Sequence, residues 1–195
     1  MSQAPSRPRV RAEFFEDLYS RAEDPWGFAA SDYEAEKYAH TVATLGGARF
    51  GRGLELGCSI GVLTRQLAAV CGELLGIDVS ERALDRARAR LHGVAGVTLA
   101  RATFPEQMPS GHWDLIVCSE VLYYLDPPAF VLALERLRAG LADGATVLAV
   151  HWRGATKTYP LRGDEVHDRL AEQFAACHVL DDRRPKYRLD LFGTR

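Results

Sequence analysis

The chain has 195 residues, enough for one domain with a sizeable core and too few for two ordinary ones. Hydrophobic residues make up 47% and charged residues 26%; with a net charge of −2 and both signs intermixed, no basic surface for nucleic acid or an anionic membrane is expected. No apolar run has the length of a transmembrane helix, MSQAPSRPRVR lacks the apolar core of a signal peptide, and Cys58, Cys71, Cys118 and Cys177 form no C-x-x-C pair, so the expectation is a cytoplasmic protein with reduced thiols and no metal site.

In chain order, residues 1–10 read as a disordered arm rich in Pro and Ser. Residues 9–20 (RVRAEFFEDLYS) follow the pattern of an amphipathic helix with Phe14, Phe15, Leu18 and Tyr19 on its apolar side. In SDYEAEKYAHTVATL (31–45), Ser31 and Glu34 have capping-box spacing, and Gly46-Gly47 ends the helix. GLEL (53–56), ELLGID (73–78), VTLAR (97–101), WDLIVCS (113–119) and TVLAVHW (146–152) are short, continuously apolar runs that alternate with helical segments 61–70, 80–91 and 127–142. That alternation describes βαβ units and a parallel sheet covered on both faces. Ser80 and Asp126 stand at N-cap positions, and Pro127 follows at the first helical position. The arginines of ERALDRARARL (81–91) are expected on a solvated helix face. A last helix spans 163–177. HVLDDR (178–183) and KYRLDLFG (186–193) are joined too closely for a parallel crossover and form an antiparallel hairpin.

The run LELGCSIG (54–61) is a strand entering a glycine loop. A P-loop is excluded because Val62 follows Gly61 and no lysine occurs until Lys157. A dinucleotide fingerprint needs a middle glycine for the pyrophosphate, and Ser59 occupies that place. Asp78 ends the second strand, where an acid accepts hydrogen bonds from ribose hydroxyls. Loop and acid together imply a nucleoside ligand with no demand for a pyrophosphate.

LELGCSIG, LLGIDVS and WDLIVCSEVLYYL resemble the motif series of class I S-adenosylmethionine-dependent methyltransferases. DPWGFAASDYEAEKY (24–38), GCSIGVLTRQLA (57–68), SEVLYYL (119–125) and HWRG (151–154) resemble the NodS-like family, over roughly residues 11–193. The resemblance implies an α/β, Rossmann-like methyltransferase sandwich: a seven-stranded, mostly parallel sheet with an antiparallel C-terminal hairpin. It implies one domain, with residues 11–47 as a helical lid and 48–195 as the cofactor-binding core. By position, it places Gly57, Cys58 and Gly61 at the methionine and ribose, Asp78 at the ribose, and Val79 on the adenine. Ala102, Thr103 and Phe104 fall at the adenine edge; Thr103 stands where many members carry Asp, so a backbone contact or its hydroxyl must substitute. Ser119 runs beside the sulfonium, and Lys37 or a neighbouring tyrosine meets the methionine carboxylate.

For the acceptor, Glu120 and His151 lie at ligand-side strand ends and are the candidates for base or orienting group. Their plainer roles are a first-turn acid and a structural histidine. Tyr124, Trp152, Arg153, Trp26 and Tyr33 are the candidate acceptor contacts; ordinary packing and a solvated guanidinium are the alternatives. The expected activity is N-methylation of an amino sugar, chitooligosaccharide or aminoglycoside-like molecule by a monomer or homodimer, with S-adenosylhomocysteine as product. The alternatives are O-methylation, a nicotinamide-dependent oxidoreductase and a non-catalytic cofactor-binding module.

Overall fold

The computed structural model describes residues 7–193. Seven strands form one sheet: Phe50–Leu56 (β1), Cys71–Asp78 (β2), Val97–Arg101 (β3), Trp113–Ser119 (β4), Leu141–Trp152 (β5), His178–Arg183 (β6) and Tyr187–Gly193 (β7). Among the described residues six α-helices accompany them: Ala12–Arg21 (α1), Asp32–Ala43 (α2), Val62–Leu67 (α3), Glu81–Arg90 (α4), Pro127–Ala139 (α5) and Gly163–Gln173 (α6). The strand order is β3-β2-β1-β4-β5-β7-β6. Strands β1 to β5 pair in parallel, while β7 is antiparallel to both β5 and β6. The Rossmann-like sheet and its closing hairpin are therefore those the sequence led us to expect.

Side-chain alternation along the central strands divides the core into two layers. Leu115 and Val117 of β4 and Leu148 and Val150 of β5 pack with Tyr38 of α2 and Leu63 and Leu67 of α3. Ile116, Cys118, Val147 and Ala149, one residue out of step, pack with Phe130, Ala133 and Leu137 of α5 and Val166 and Leu170 of α6. Each buried Leu, Val or Phe stabilises the fold by ~1.5–3 kcal/mol.

The helix starts follow local chemistry. Ser31, Ser80 and Asp126 each accept a backbone N–H of the first turn. The return half of the expected box at Ser31 is not made, because the Glu34 carboxylate pairs with Lys37 instead. The helix expected over 163–177 stops at Gln173 and is followed by a short 3-10 turn, Ala175–Cys177.

Three other expectations change. Residues 7–10, assigned to a disordered arm, are laid across the carboxyl ends of the strands: Val10 N–H donates to Tyr124 O at 2.9 Å, Arg9 N–H to Asp126 Oδ2 at 3.3 Å, and Arg7 to Thr156 O at 3.1 Å. Residues 1–6 of that arm lie outside the described residues. The arginines of α4 are not all solvated. Arg86 donates to the carbonyls of Tyr19, Ala22 and Glu23 at 2.9–3.0 Å, capping the end of α1, and Arg90 donates to Ile60 O at 2.8 Å. Strand β5 begins at Leu141, earlier than expected, because Trp113 pairs with Leu141 before a register shift in β4. Among the described residues no helix is long and apolar enough to cross a membrane.

Strand order reverses between β1 and β4. Their carboxyl ends diverge there, which opens the crevice where ligands of such sheets bind.

Candidate active site

The crevice is a cavity of about 860 Å³, roofed by the chain before α1, by α1 and by α2. One end is built on the loop after β1. Gly57 (φ +72°) turns the chain out of the strand, and a Cβ there would press on Val121 at 3.3 Å. Ser59 also has positive φ, at 51°, a conformation that costs an L-residue ~1–2 kcal/mol. Two contacts hold it: its N–H donates to Asp78 Oδ2 at 2.8 Å, and its Oγ makes a short hydrogen bond with the Tyr19 hydroxyl of α1. Asp78 Oδ1 accepts Ser80 N–H at 2.9 Å. Burial raises the Asp78 carboxyl above its ordinary value, while these backbone donors pull it back. Each oxygen has further lone-pair capacity toward the cavity, as recognition of a diol requires.

Beneath this loop lies Glu55, fully buried in β1 on the cavity wall. Burial pushes its carboxyl up to about 8, and Thr64 nearby draws it down only in part. Neither Glu55 Oε2 nor Thr64 Oγ1 completes a hydrogen bond. A buried polar atom without a partner is costly, so this end is chemically incomplete without a donor in the cavity.

The other end is built on the turn after β4. Glu120 has φ +56° and is anchored from three directions. Its Oε1 receives Lys37 Nζ at 2.6 Å; its Oε2 accepts Tyr123 Oη–H at 2.7 Å and Trp152 N–H at 2.8 Å. Lys37, 2% exposed, also pairs with Glu34 at 2.8 Å and lies over the rings of Tyr33 and Tyr38. Burial alone would lower the Lys37 ammonium, but Glu120 and Glu34 more than offset that and hold it raised. Two carboxylates therefore face one cation, and the Tyr33 hydroxyl beside them is buried without a partner. Tyr123 and Tyr159 stack at 4.9 Å, with Tyr124 edge-on to both.

Of the residues singled out from sequence, Gly57, Cys58, Asp78, Val79, Ala102, Thr103, Phe104, Ser119, Glu120, Tyr124, Trp152, Trp26, Tyr33 and Lys37 share the wall of this cavity. Gly61, His151 and Arg153 are not on it. Gly61 ends the loop at φ +77°, where a Cβ would meet Ala87 of α4 and Leu91 just after it at 3.1 Å. Arg153 pairs with Asp164 at 2.9 Å and donates to Arg184 O, behind the end of β5. His151 is fully buried with both ring nitrogens engaged, on Leu122 N–H and on His167. It shares the face of Val147 and Ala149, which α6 covers. Thr103 N–H is taken by Gln107 Oε1 at 2.8 Å and its carbonyl accepts Gln107 N–H, which leaves the hydroxyl as the polar group toward the cavity.

Sequence reasoning missed Glu55, Glu34, Tyr19 and Tyr159, all on the wall. Glu55 carried a usable signal, a charge inside a run that otherwise reads as buried. Tyr19 and Tyr159 did not, because their partners are distant in sequence, and Glu34, three residues from its partner Lys37, read only as a capping residue.

A family model described as Nodulation protein S (NodS) matches residues 12–153. Nodulation protein S of Rhizobium tropici is 34% identical over 125 residues, 63% of this chain and 52% of that relative; the match thus spans about half the relative's length. A ubiquinone biosynthesis O-methyltransferase of Bordetella pertussis is 33% identical over 97 residues, 47% of this chain and 38% of that protein. Among solved structures, the N-methyltransferase NodS from Bradyrhizobium japonicum WM9, in complex with S-adenosyl-L-homocysteine, superposes with a TM-score of 0.82 over 95% of this chain and 99% of that one, at 24% identity. At that identity the likeness establishes the fold.

Proposed function

This chain belongs to the nodulation protein S family, and from that premise we propose that it is an S-adenosylmethionine-dependent methyltransferase acting on the amino group of a small acceptor, an amino sugar or a compound like it. Bound S-adenosylmethionine supplies a methyl group made electrophilic by a sulfonium. The residues present suit such a cofactor. Asp78 offers lone pairs to a ribose diol, Val79 and Phe104 offer apolar surface to a base, and Glu55, with Oε2 unsatisfied, awaits a donor such as an α-ammonium. A dinucleotide fits poorly, because its pyrophosphate would face the Asp78 carboxylate.

The observation that carries the amine is the pair Glu34 and Glu120 around the single Lys37. That cluster has a net charge of −1 and attracts an ammonium, which gives one proton to solvent water before it reacts. Attack requires the neutral amine in line with the methyl group, and most of the acceleration comes from holding that alignment. Glu120 is tied by three donors and acts as an orienting acceptor for an amine N–H rather than a mobile base. Tyr33, Tyr124, Trp152 and Tyr159 form the wall on which a sugar ring stacks.

O-methylation is the second reading, favoured by the Bordetella relative. It needs a base for a hydroxyl proton, and His151 does not reach the cavity. The test is methyl transfer from labelled S-adenosylmethionine to amino sugars, their N-acetylated forms and their hydroxyl analogues. Labelled N-methyl product from the amines alone supports the proposal; label on oxygen selects the second reading. S-adenosylhomocysteine binding with no product from any acceptor would leave a cofactor-binding module.

A further inference from the structure

His151 of β5, His167 of α6 and Asp190 of β7 are all completely buried and belong to none of the roles above. They stand in a row. Leu122 N–H meets His151 Nε2 at 3.2 Å, His151 Nδ1 lies 3.1 Å from His167 Nε2, and His167 Nδ1 lies 2.9 Å from Asp190 Oδ2. Arg188, 1% exposed, approaches both Asp190 oxygens at 3.3–3.4 Å.

The end groups dictate every proton in this row. A backbone amide only donates, so His151 Nε2 is the acceptor and its ring carries hydrogen on Nδ1. That hydrogen points at His167 Nε2, which must accept, so the second ring also carries hydrogen on Nδ1 and gives it to Asp190. An imidazolium at either position would set one N–H against another. Polarity runs one way, from the turn to the Asp190–Arg188 pair. The turn at its start is the one that holds Glu120 at positive φ and carries Tyr123 and Tyr124, and the His151 ring packs edge-on against Tyr123 at 5.3 Å.

We propose that His151, His167 and Asp190 form a positioning relay that fixes the Glu120–Tyr124 turn from behind, with Asp190 setting the tautomer of both histidines. The acceptor-aligning role of that turn rests on the methyltransferase reading above; the relay itself does not.

Two measurements test it. In ligand-free, 15N-labelled protein at neutral pH, long-range proton–nitrogen spectra show two neutral rings, each protonated on Nδ1; an Nε2–H tautomer or an imidazolium at either site overturns the relay. In variants, Asp190→Asn reverses the row. Its NH2 group turns away from the Arg188 donors toward His167, both tautomers invert, and His151 Nε2–H then opposes Leu122 N–H. The expected result is S-adenosylhomocysteine affinity within about twofold of the parent, with kcat lowered about 10- to 100-fold by misalignment and a shifted Leu122 amide resonance. His167→Leu behaves likewise. His167→Gln, which accepts from His151 and donates to Asp190, keeps kcat within about fivefold. Equal kcat losses in the Leu and Gln variants, or an unchanged kcat in Asp190→Asn, overturn the proposal. If Asp190→Asn does not fold, the wild-type tautomers and the two His167 variants decide. If the wild-type protein methylates no acceptor, the methyltransferase reading fails, while the tautomers and the Leu122 resonance still decide the relay.

Discussion

The loop after β1 and the turn after β4 stand side by side at the crevice, and each carries a non-glycine residue at positive φ, Ser59 at 51° and Glu120 at 56°. They are held by different means. Ser59 is fixed by Asp78, 19 residues away and part of the same βαβ unit, and by the Tyr19 hydroxyl of α1. Glu120 is fixed by Lys37, 83 residues away, and by the amide of Trp152, 32 residues away. Its turn is braced further by His151, 29 residues from Leu122. Strain at a functional site persists only where the surroundings over-determine it. At the nucleoside end the surroundings come from one local motif and a single hydroxyl of α1. At the acceptor end they come from α2, β5, α6 and β7.

The largest expected effect breaks the long-range side of that contrast. Lys37→Met leaves Glu34 and Glu120 buried without their cation and lowers stability by ~3–5 kcal/mol, measured by urea unfolding. Adding Glu120→Gln to that variant recovers part of the loss, because one uncompensated charge is removed. A double variant no better than the single one would show that Lys37 acts through packing alone.

Asp78→Asn tests the local side. It replaces a charged acceptor of two backbone amides by a neutral one and weakens S-adenosylhomocysteine binding by ~1.5–3 kcal/mol, read by calorimetry. An unchanged affinity would remove Asp78 from the ribose site.

Glu55 separates binding from folding through pH. Its folded value of about 8 lies above the ordinary 4.5, so between those values the folded protein holds a proton that the unfolded chain has released. The contribution of Glu55 to stability therefore falls as pH rises through that window and is level above it. An ammonium beside Glu55 favours its ionised form, so S-adenosylhomocysteine binding releases a proton and strengthens as pH rises toward 8, by at most about tenfold per unit. Calorimetry in buffers of different ionisation enthalpy counts that proton, and Glu55→Gln abolishes both slopes. Release of no proton at pH 7 would place the ligand's amino group elsewhere.

The smallest effect is at Ser59. Ser59→Gly relieves ~1–2 kcal/mol of backbone strain and loses the hydrogen bond to Tyr19, worth ~0.5–1.5 kcal/mol. The melting temperature therefore moves by only a few degrees, and Tyr19→Phe alone lowers it. In the Ser59→Gly background, Tyr19→Phe has no further hydrogen bond to remove. A large loss on Ser59→Gly would mean that the serine hydroxyl holds α1 over the site.

Legibility followed sequence distance. The strands, the hairpin and the caps at Ser31, Ser80 and Asp126 could be read because each depends on a few neighbouring residues. Ser31 and Glu34 show where that stops: the spacing marked the helix start, but Glu34 serves the site through Lys37. His151 shows a second limit. Its place at the ligand end of β5 was readable, and its alternation with Val147 and Ala149 put it on one face of the sheet. Which helix covers that face is a matter of topology, and α6 closes over it with His167.

The sequence by itself determined a parallel α/β sheet with a glycine loop, an acid after the second strand and an antiparallel end, because periodicity, capping and connection length are short-range properties. Only the tertiary structure decided which charges meet. It put Lys37 between two carboxylates, left Glu55 Oε2 without a hydrogen bond and turned His151 away from the cavity, because burial and pairing depend on elements brought together from across the chain.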